Sequence, residues 1–364
     1  MRRKLLSSLK IFLLVFFVLP YSACDQFKKG KITVSWIGAT GTLIEKTYIN
    51  KGEDLIEREL PSDTDEWHYT SWKIVESSDV IICVAQRVKK VQYIWKDHNQ
   101  SIIQEIMGFE GQECEFPELP VPTEKWEYND WGKEINGNQV IYTVQKTPNV
   151  DYFIGNVFQI IVKDEKNQPV SSGTGFVINN EGWFVTNHHV MEGASSATAY
   201  FDIEDETTKK EYTQLSVMGG VYSSAEKDIF IGKLSSYETI ESYYQDISFT
   251  ESYEMGEITY TIGYPNSSLF MEINQGTLLE EYKDIYGKIY DSYYLLSDSY
   301  IAPGSSGGIL VNENFEVLGV TTMGLYDSTQ TVFLAGGSVP TSLFLEDMQN
   351  LDETNLELLT KIYN

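Results

Sequence analysis

From Val150 onward the chain is written in short β-rich runs, each closed by glycine or polar residues, and this rhythm sets the fold class before any single residue is considered. The runs are Val157 to Val162, Gly175 to Ile178, Trp183 to Thr186, Ile229 to Leu234, Ile258 to Gly263 and Val317 to Thr322. Valine, isoleucine and aromatic side chains fit a pleated, half-buried surface, and regular turns between such runs predict an all-β barrel or sandwich of roughly 200 residues. Helical spacing appears mainly near the end, where leucines between Ser342 and Tyr363 predict a C-terminal helix over 349–364. With 364 residues, 42% of them hydrophobic, the chain is long enough for two or three domains at roughly 150 residues each.

Ahead of that region the sequence repeats itself. Shifted by 59 residues, Trp36 falls on Trp95, Gly52 on Gly111, and Leu60-Pro61 on Leu119-Pro120. Thr64, Trp67, Tyr69 and Trp72 then fall on Thr123, Trp126, Tyr128 and Trp131, after which a slip of one residue aligns Val84 with Val144. Coincidences of tryptophan and glycine at one offset signal duplicated units, predicted over 31–88 and 89–147. Each unit is an alternating strand, a glycine turn, a Leu-Pro break, an aromatic segment and a closing apolar strand. In a module of only about sixty residues the aromatic rings are predicted to form the core. Lys146-Thr147-Pro148-Asn149 is the predicted linker to a third domain over 148–348.

The first residues belong to neither part. Arg2, Arg3, Lys4 and Lys10 precede an apolar run from Ile11 to Leu19, too short for the about 20 residues that cross a bilayer core. A positive start, a short apolar middle and small residues before a cut predict a secretory signal peptide over 1–23. Ser22-Ala23-Cys24 resembles the lipobox of bacterial lipoproteins, with Tyr21 departing from the usual leucine, so Cys24 is the predicted lipidation site and 24–30 an anchor linker. The formal net charge of −26 becomes more negative once the leader is removed. Such a surface repels phosphate backbones and anionic lipid, so no nucleic-acid partner is expected, and acyl chains rather than basic patches would hold the membrane. Cys83 and Cys114 are too few for a disulfide scaffold, and the histidines lack metal-ligand spacing. Neither a metal nor a cofactor is expected, and the oligomeric state is open.

Three segments of the third domain carry chemistry. A serine hydroxyl is a poor nucleophile until a base takes its proton, and histidine supplies a base near working pH. Ser306 lies in Ala302-Pro303-Gly304-Ser305-Ser306-Gly307-Gly308, and His189 follows the run Trp183 to Thr186, where an apolar strand ends in a polar turn. His188 points elsewhere if alternation continues. A carboxylate must orient the imidazole, and Asp228 opens the apolar run Ile229 to Leu234, whereas its competitors Asp202, Asp205 and Asp246 lead into no such strand. Gly304 gives backbone freedom for its N–H and that of Ser306 to converge on a developing oxyanion.

Ser172-Gly173-Thr174-Gly175-Phe176-Val177-Ile178, Thr186-Asn187-His188-His189-Val190, Asp228-Ile229-Phe230-Ile231 and Gly304-Ser305-Ser306-Gly307-Gly308 together resemble the trypsin-like proteases of the HtrA (Deg) type. The resemblance covers roughly 150 to 350, with Gly319-Val320-Thr321-Thr322 and Ser338-Val339-Pro340 continuing the pattern. It implies a mainly β fold, a double barrel of two six-stranded β-barrels. In the cleft between them His189, Asp228 and Ser306 would cut peptide bonds of protein or peptide substrates through an acyl-enzyme. No peptide-binding PDZ domain is expected after the terminal helix. Ser305 replaces the aspartate found in digestive enzymes, so activation by a freed N-terminus is not expected. Tyr300, six residues before Ser306, marks the primary specificity pocket, predicted to take small or medium apolar side chains, and Thr321 to Gly324 is the expected substrate-pairing edge.

The Trp, Gly, Pro-Thr and Trp landmarks of 31–147 resemble the internalin-type B repeat, a small β-grasp-like module that acts as spacer or binding unit. The combined expectation is an exported serine endopeptidase of the bacterial cell envelope or surface, anchored through Cys24. The alternatives are a surface adhesion or ligand-binding protein with an inactive protease-like domain, and an esterase using the same three residues.

Overall fold

The computed structural model describes residues 30–204, 210, 212–268, 270–283, 293–327, 329, 331–349 and 351–363. The predicted leader, Cys24 and Asp205 lie outside the described residues. By contacts the chain divides into two units, one formed by residues up to Val121 with Tyr128–Thr147, the other by Pro122–Glu127 with Pro148 onward.

The first unit is built from β1 (Lys31–Ile37), β2 (Leu43–Asn50), β3 (Trp67–Glu76), β4 (Val80–Lys96), β5 (Ile102–Phe109), β6 (Trp126–Asn136) and β7 (Gln139–Pro148), in the order β2-β1-β4-β7-β6 with β3 and β5 also paired to β4. Thr33 faces Val80 in the parallel pair β1–β4, and Gln92 faces Gln139 in the parallel pair β4–β7, so the same pairing recurs 59 residues on. The slip of register expected near Val84 does not occur: Ile37 faces Val84 and Lys96 faces Thr143, at the same offset. A strand cannot absorb a one-residue slip without turning every side chain to the opposite face. The structural counterpart of buried Val144 is therefore buried Ala85. The residues 88 and 89 fall inside β4, which runs unbroken for 17 residues. One cluster of buried residues, Val34, Trp36, Trp72, Ile81, Cys83 and Ala85, lies on the first half; Val91, Tyr93, Trp95 and Val140 form another.

The second unit holds two closed sheets. β8 (Val157–Lys163), β9 (Pro169–Val177), β10 (Trp183–Thr186), β11 (Ser196–Phe201), β12 (Thr213–Ser224) and β13 (Ile229–Leu234) close in the order β10-β13-β12-β11-β8-β9. β14 (Ser248–Phe249) runs parallel to β19 (Glu316–Tyr326). With β15 (Ile258–Gly263), β16 (Glu272–Lys283), β17 (Tyr293–Ser297), β18 (Ile309–Asn312) and β20 (Phe333–Pro340), β19 closes a second ring of six, β19-β18-β15-β16-β17-β20, through the β19–β20 pair. The chain is thus mainly β with two six-stranded barrels. Five of the six β-rich runs read from the sequence lie wholly on strands, and the sixth, Gly175 to Ile178, runs one residue past the end of β9. The barrels share one core, in which Val157, Phe176, Val185, Ile229 and Ile231 of the first meet Tyr260, Ile262, Leu296, Ile309 and Val320 of the second. Trp126 packs edge-on against Tyr260 at 5.8 Å and tilted against Phe315 at 4.8 Å, joining the segment Pro122–Glu127 to that core.

The C-terminal helix expected over 349–364 is corrected to turns. Among the described residues of that stretch only Leu359–Ile362 is α-helical, and 346–348 and 353–355 are single 3₁₀ turns. Glu357 exchanges two backbone hydrogen bonds with Gly220 of β12, at 2.9 and 3.0 Å, which requires extended backbone where a helix would have to pass. Leu359 then enters the core of the first barrel.

Candidate active site

β10 is buried along its whole length and ends at Thr186; past Asn187 one helical turn, α1 (His188–Met191), carries His189 to the surface. The His189 side chain is 45% exposed, while that of Asp228 is 14% exposed. Asp228 occupies the turn before β13 with φ of +52°, a left-handed conformation that aspartate tolerates better than most residues. Its carboxylate faces the helical turn and accepts three contacts there. His189 Nδ1 lies 2.8 Å from Oδ2 and 3.1 Å from Oδ1, and the His189 backbone N–H donates to Oδ1 at 3.0 Å. A carboxylate held on Nδ1 selects the tautomer whose Nε2 is free to accept a proton. His188 points away, its Nδ1 2.8 Å from the Ser223 hydroxyl, which in turn lies 3.2 Å from the Tyr363 hydroxyl.

Ser306 sits in the loop that leads into β18. Gly304 and Gly307 have φ of +103° and +88°, so both positions require glycine, and a Cβ on Gly307 would also collide with the Thr174 carbonyl and the Thr186 hydroxyl. The loop's carbonyls are tied back: the Thr174 hydroxyl donates to Gly304 O at 2.7 Å, the Thr174 N–H to Ser306 O at 2.7 Å, and the Asn266 N–H to Pro303 O at 2.6 Å. Among the described residues, the N–H groups of Gly304 and Ser306 donate no hydrogen bond. Ser305 is buried, and its hydroxyl accepts from Ala302 N–H at 3.2 Å.

His189 and Asp228 are thus joined directly, and Ser306 belongs to a neighbouring loop. A Cβ placed on Gly173 would lie 2.8 Å from the side chain of Val190, beside His189, and 2.9 Å from the carbonyl of Ser306. The Ser306 hydroxyl itself donates to Thr322 O at 3.1 Å, and among the described residues no hydrogen bond joins it to His189. Tyr300 is 44% exposed and packs edge-on against Phe333 at 5.4 Å.

Four residues that hold this arrangement carried no individual role in the sequence reading: Thr174, Asn187, Asn266 and Thr322. Thr174 and Asn187 are fully buried although they stand in the polar stretches Ser171-Ser172-Gly173-Thr174 and Thr186-Asn187-His188-His189, and a buried polar side chain must find partners. No local pattern marks that burial, and Asn266, which bonds through its backbone, leaves no trace either.

Residues 173–320 match the family model described as the trypsin-like peptidase domain. Among curated proteins, the chain is 28% identical over 167 residues to serine protease HTRA3 of Mus musculus, covering 43% of this chain and 34% of that protein. It is 26% identical over 194 residues to a probable periplasmic serine endoprotease DegP-like of Bartonella henselae, covering 53% and 36%. The chain therefore spans about a third of the length of these relatives. Among solved structures, an HtrA-type protease AlgW with tripeptide aligns at a TM-score of 0.44 and 20% identity, over 57% of this chain and 64% of that one. The stretch that matches this family model begins in β9, ends in β19 and contains His189, Asp228 and Ser306.

Proposed function

We propose that the second unit is a serine endopeptidase in which Ser306 is the nucleophile, His189 the general base and acid, and Asp228 the group that orients the imidazole. One observation carries this reading. The loop bearing the Ser306 hydroxyl has two N–H groups, at Gly304 and at Ser306 itself, that donate no hydrogen bond among the described residues, beside a turn that holds an imidazole 2.8 Å from a carboxylate.

In the resting conformation the Ser306 hydroxyl is spent on Thr322 O. The reaction requires the hydroxyl to leave Thr322 O, by a χ1 rotation between staggered wells, for Nε2 of His189, which takes the proton as Oγ attacks the substrate carbonyl. The oxyanion is received by the N–H groups of Gly304 and Ser306. The imidazolium, stabilised by Asp228, protonates the leaving amine, and water then repeats the sequence on the acyl-enzyme. The substrate backbone pairs with the Thr321–Gly324 edge, opposite β20 and past the point where Gly307 and Gly308 close on Thr321 through two backbone hydrogen bonds of 2.8 Å.

Outside the described residues, the same reading has the chain exported to the bacterial cell envelope and tethered by acyl chains on Cys24. The stretches 31–88 and 89–147 are then two repeat modules acting as spacer or binding units. Fatty-acid labelling of cells expressing the chain should be lost in Cys24→Ser.

The enzymatic reading is tested by a fluorophosphonate probe, which should label the full chain and fail to label Ser306→Ala. Labelling that survives in Ser306→Ala would place the nucleophile elsewhere.

A further inference from the structure

Asn187 is fully buried and immediately precedes α1, where an asparagine ordinarily caps the helix through its side-chain oxygen. Here it makes no capping bond. Its amide nitrogen donates instead to the backbone carbonyl of Asp228 at 3.0 Å and to the hydroxyl of Thr322 at 2.9 Å. Both partners fix the amide's orientation. The carbonyl can only accept, and the Thr322 hydroxyl has its proton committed to Val320 O at 3.1 Å. Among the described residues the buried amide oxygen of Asn187 finds no hydrogen-bond partner, so the side chain's bonding runs through its nitrogen.

The three segments joined in this way are the ones the proposed chemistry needs. Asp228 stands in a left-handed conformation, and its carbonyl is the backbone group next to the carboxylate that grips His189. Thr322 carries the carbonyl that accepts the Ser306 hydroxyl and opens the stretch offered to substrate. Asn187 itself is bonded covalently to the turn that carries His189.

Resting on the proposed peptidase reading, we infer that Asn187 is a positioning residue: its amide pins the left-handed turn of Asp228 and spaces the His189–Asp228 pair from the Thr322 strand. It touches no reacting atom. It acts on the step in which proton transfer must be aligned, and substrate contacts do not depend on it.

The test uses the full chain with active sites counted by fluorophosphonate titration. Asn187→Leu keeps the volume and removes both donors, so kcat per active site should fall about 10- to 100-fold. KM for a peptide substrate should change by less than about threefold. The downfield proton resonance of the His189 Nδ1–H, assigned by its loss in His189→Ala, should shift or vanish. A purely structural role would reduce the number of active sites and leave kcat per site and the resonance of the survivors unchanged, which overturns the inference. Should Asn187→Leu not fold, Thr322→Val decides: full kcat per site overturns the proposal, and a fall in kcat at constant KM upholds it. Failure of the underlying peptidase reading is a separate outcome, because Ser306→Ala would then still turn over substrate.

Discussion

The two units of the chain solve the problem of stability in opposite ways. In the first, each half gathers a small cluster around tryptophans, while Leu43, Ile44 and Tyr48 on β2 and Ile102, Ile103 and Met107 on β5 stay exposed. In the second, β10, β13 and β18 are buried along their whole length, and one core runs through both barrels. The sheet unit therefore concentrates its stability in a few rings, and the barrel unit spreads it over many residues. On the proposed peptidase reading, the barrel unit's vulnerable places are single hydrogen bonds at the site, where function should be lost before fold.

The sharpest check on that contrast is Asp228→Asn. The substitution keeps the shape of the side chain and replaces the carboxylate that holds Nδ1, so kcat should drop on the order of 10⁴-fold, with the barrel unit still folded. Peptide turnover and thermal melting measured on the same preparation decide it. Unfolding of the variant would show that the charge sustains the fold as well as the chemistry, and the contrast would fail.

Trp95→Ala probes the other side. Trp95 is fully buried, with Tyr142 stacked at 5.7 Å and Phe116 edge-on at 5.8 Å, and in so small a cluster few neighbours can close the cavity. A loss of about 3–5 kcal/mol is expected, read from hydrogen exchange along β4 and β7. Protection of those strands left intact would mean that strand pairing, and not the rings, holds the sheet unit.

Gly220→Ala tests how tightly the first barrel is closed. A Cβ there would lie 2.6 Å from the Phe230 ring, and the backbone of Gly220 is the one that Glu357 pairs with. Overpacking at this place should cost about 1–3 kcal/mol in urea denaturation.

That glycine also marks where the sequence stopped being legible. Runs such as Trp183 to Thr186 and Ile229 to Leu234 were readable because both faces of the strand are buried, which leaves an unbroken apolar signature. β12 carries Gly219-Gly220 in its middle, a break by any local rule, and the glycines are there because a distant tail and the Phe230 ring come close. The same tail misled the reading at the other end. Leucines at helical spacing promised a helix, and the pairing of Glu357 with Gly220 overrode the propensity. At the site, the residue types and chain order of His189, Asp228 and Ser306 were legible, because each sits at the end of a recognisable run. The hydroxyl of Ser306 turned to Thr322 O, and the amide of Asn187 bridging two loops, depend on tertiary placement that no local pattern encodes.

The smallest effect lies at the chain's last aromatic residue. Tyr363 packs its ring near Phe230 at 6.4 Å and sets its hydroxyl 3.2 Å from Ser223, behind His188. Burial pushes this phenol up to about 12, with the carboxylates of Glu192 and Asp228 adding to the rise and the Ser223 contact opposing it. Tyr244 is likewise pushed up to about 12 by burial, and Tyr237, Tyr260 and Tyr264 are raised by the same cause. In the unfolded chain a phenol loses its proton near pH 10, so between there and the folded values the folded state holds more protons than the unfolded one. Stability is therefore complete below about pH 10 and falls as pH rises toward 12. Tyr363→Phe removes one phenol from that set and keeps the ring. At neutral pH it should cost about 1 kcal/mol through the lost hydrogen bond, while the alkaline decline of the urea midpoint becomes shallower by one proton's share. An alkaline slope identical to that of the parent chain would mean that the Tyr363 hydroxyl titrates as it does in water, and that the tail is less firmly seated in the first barrel than the strands it covers.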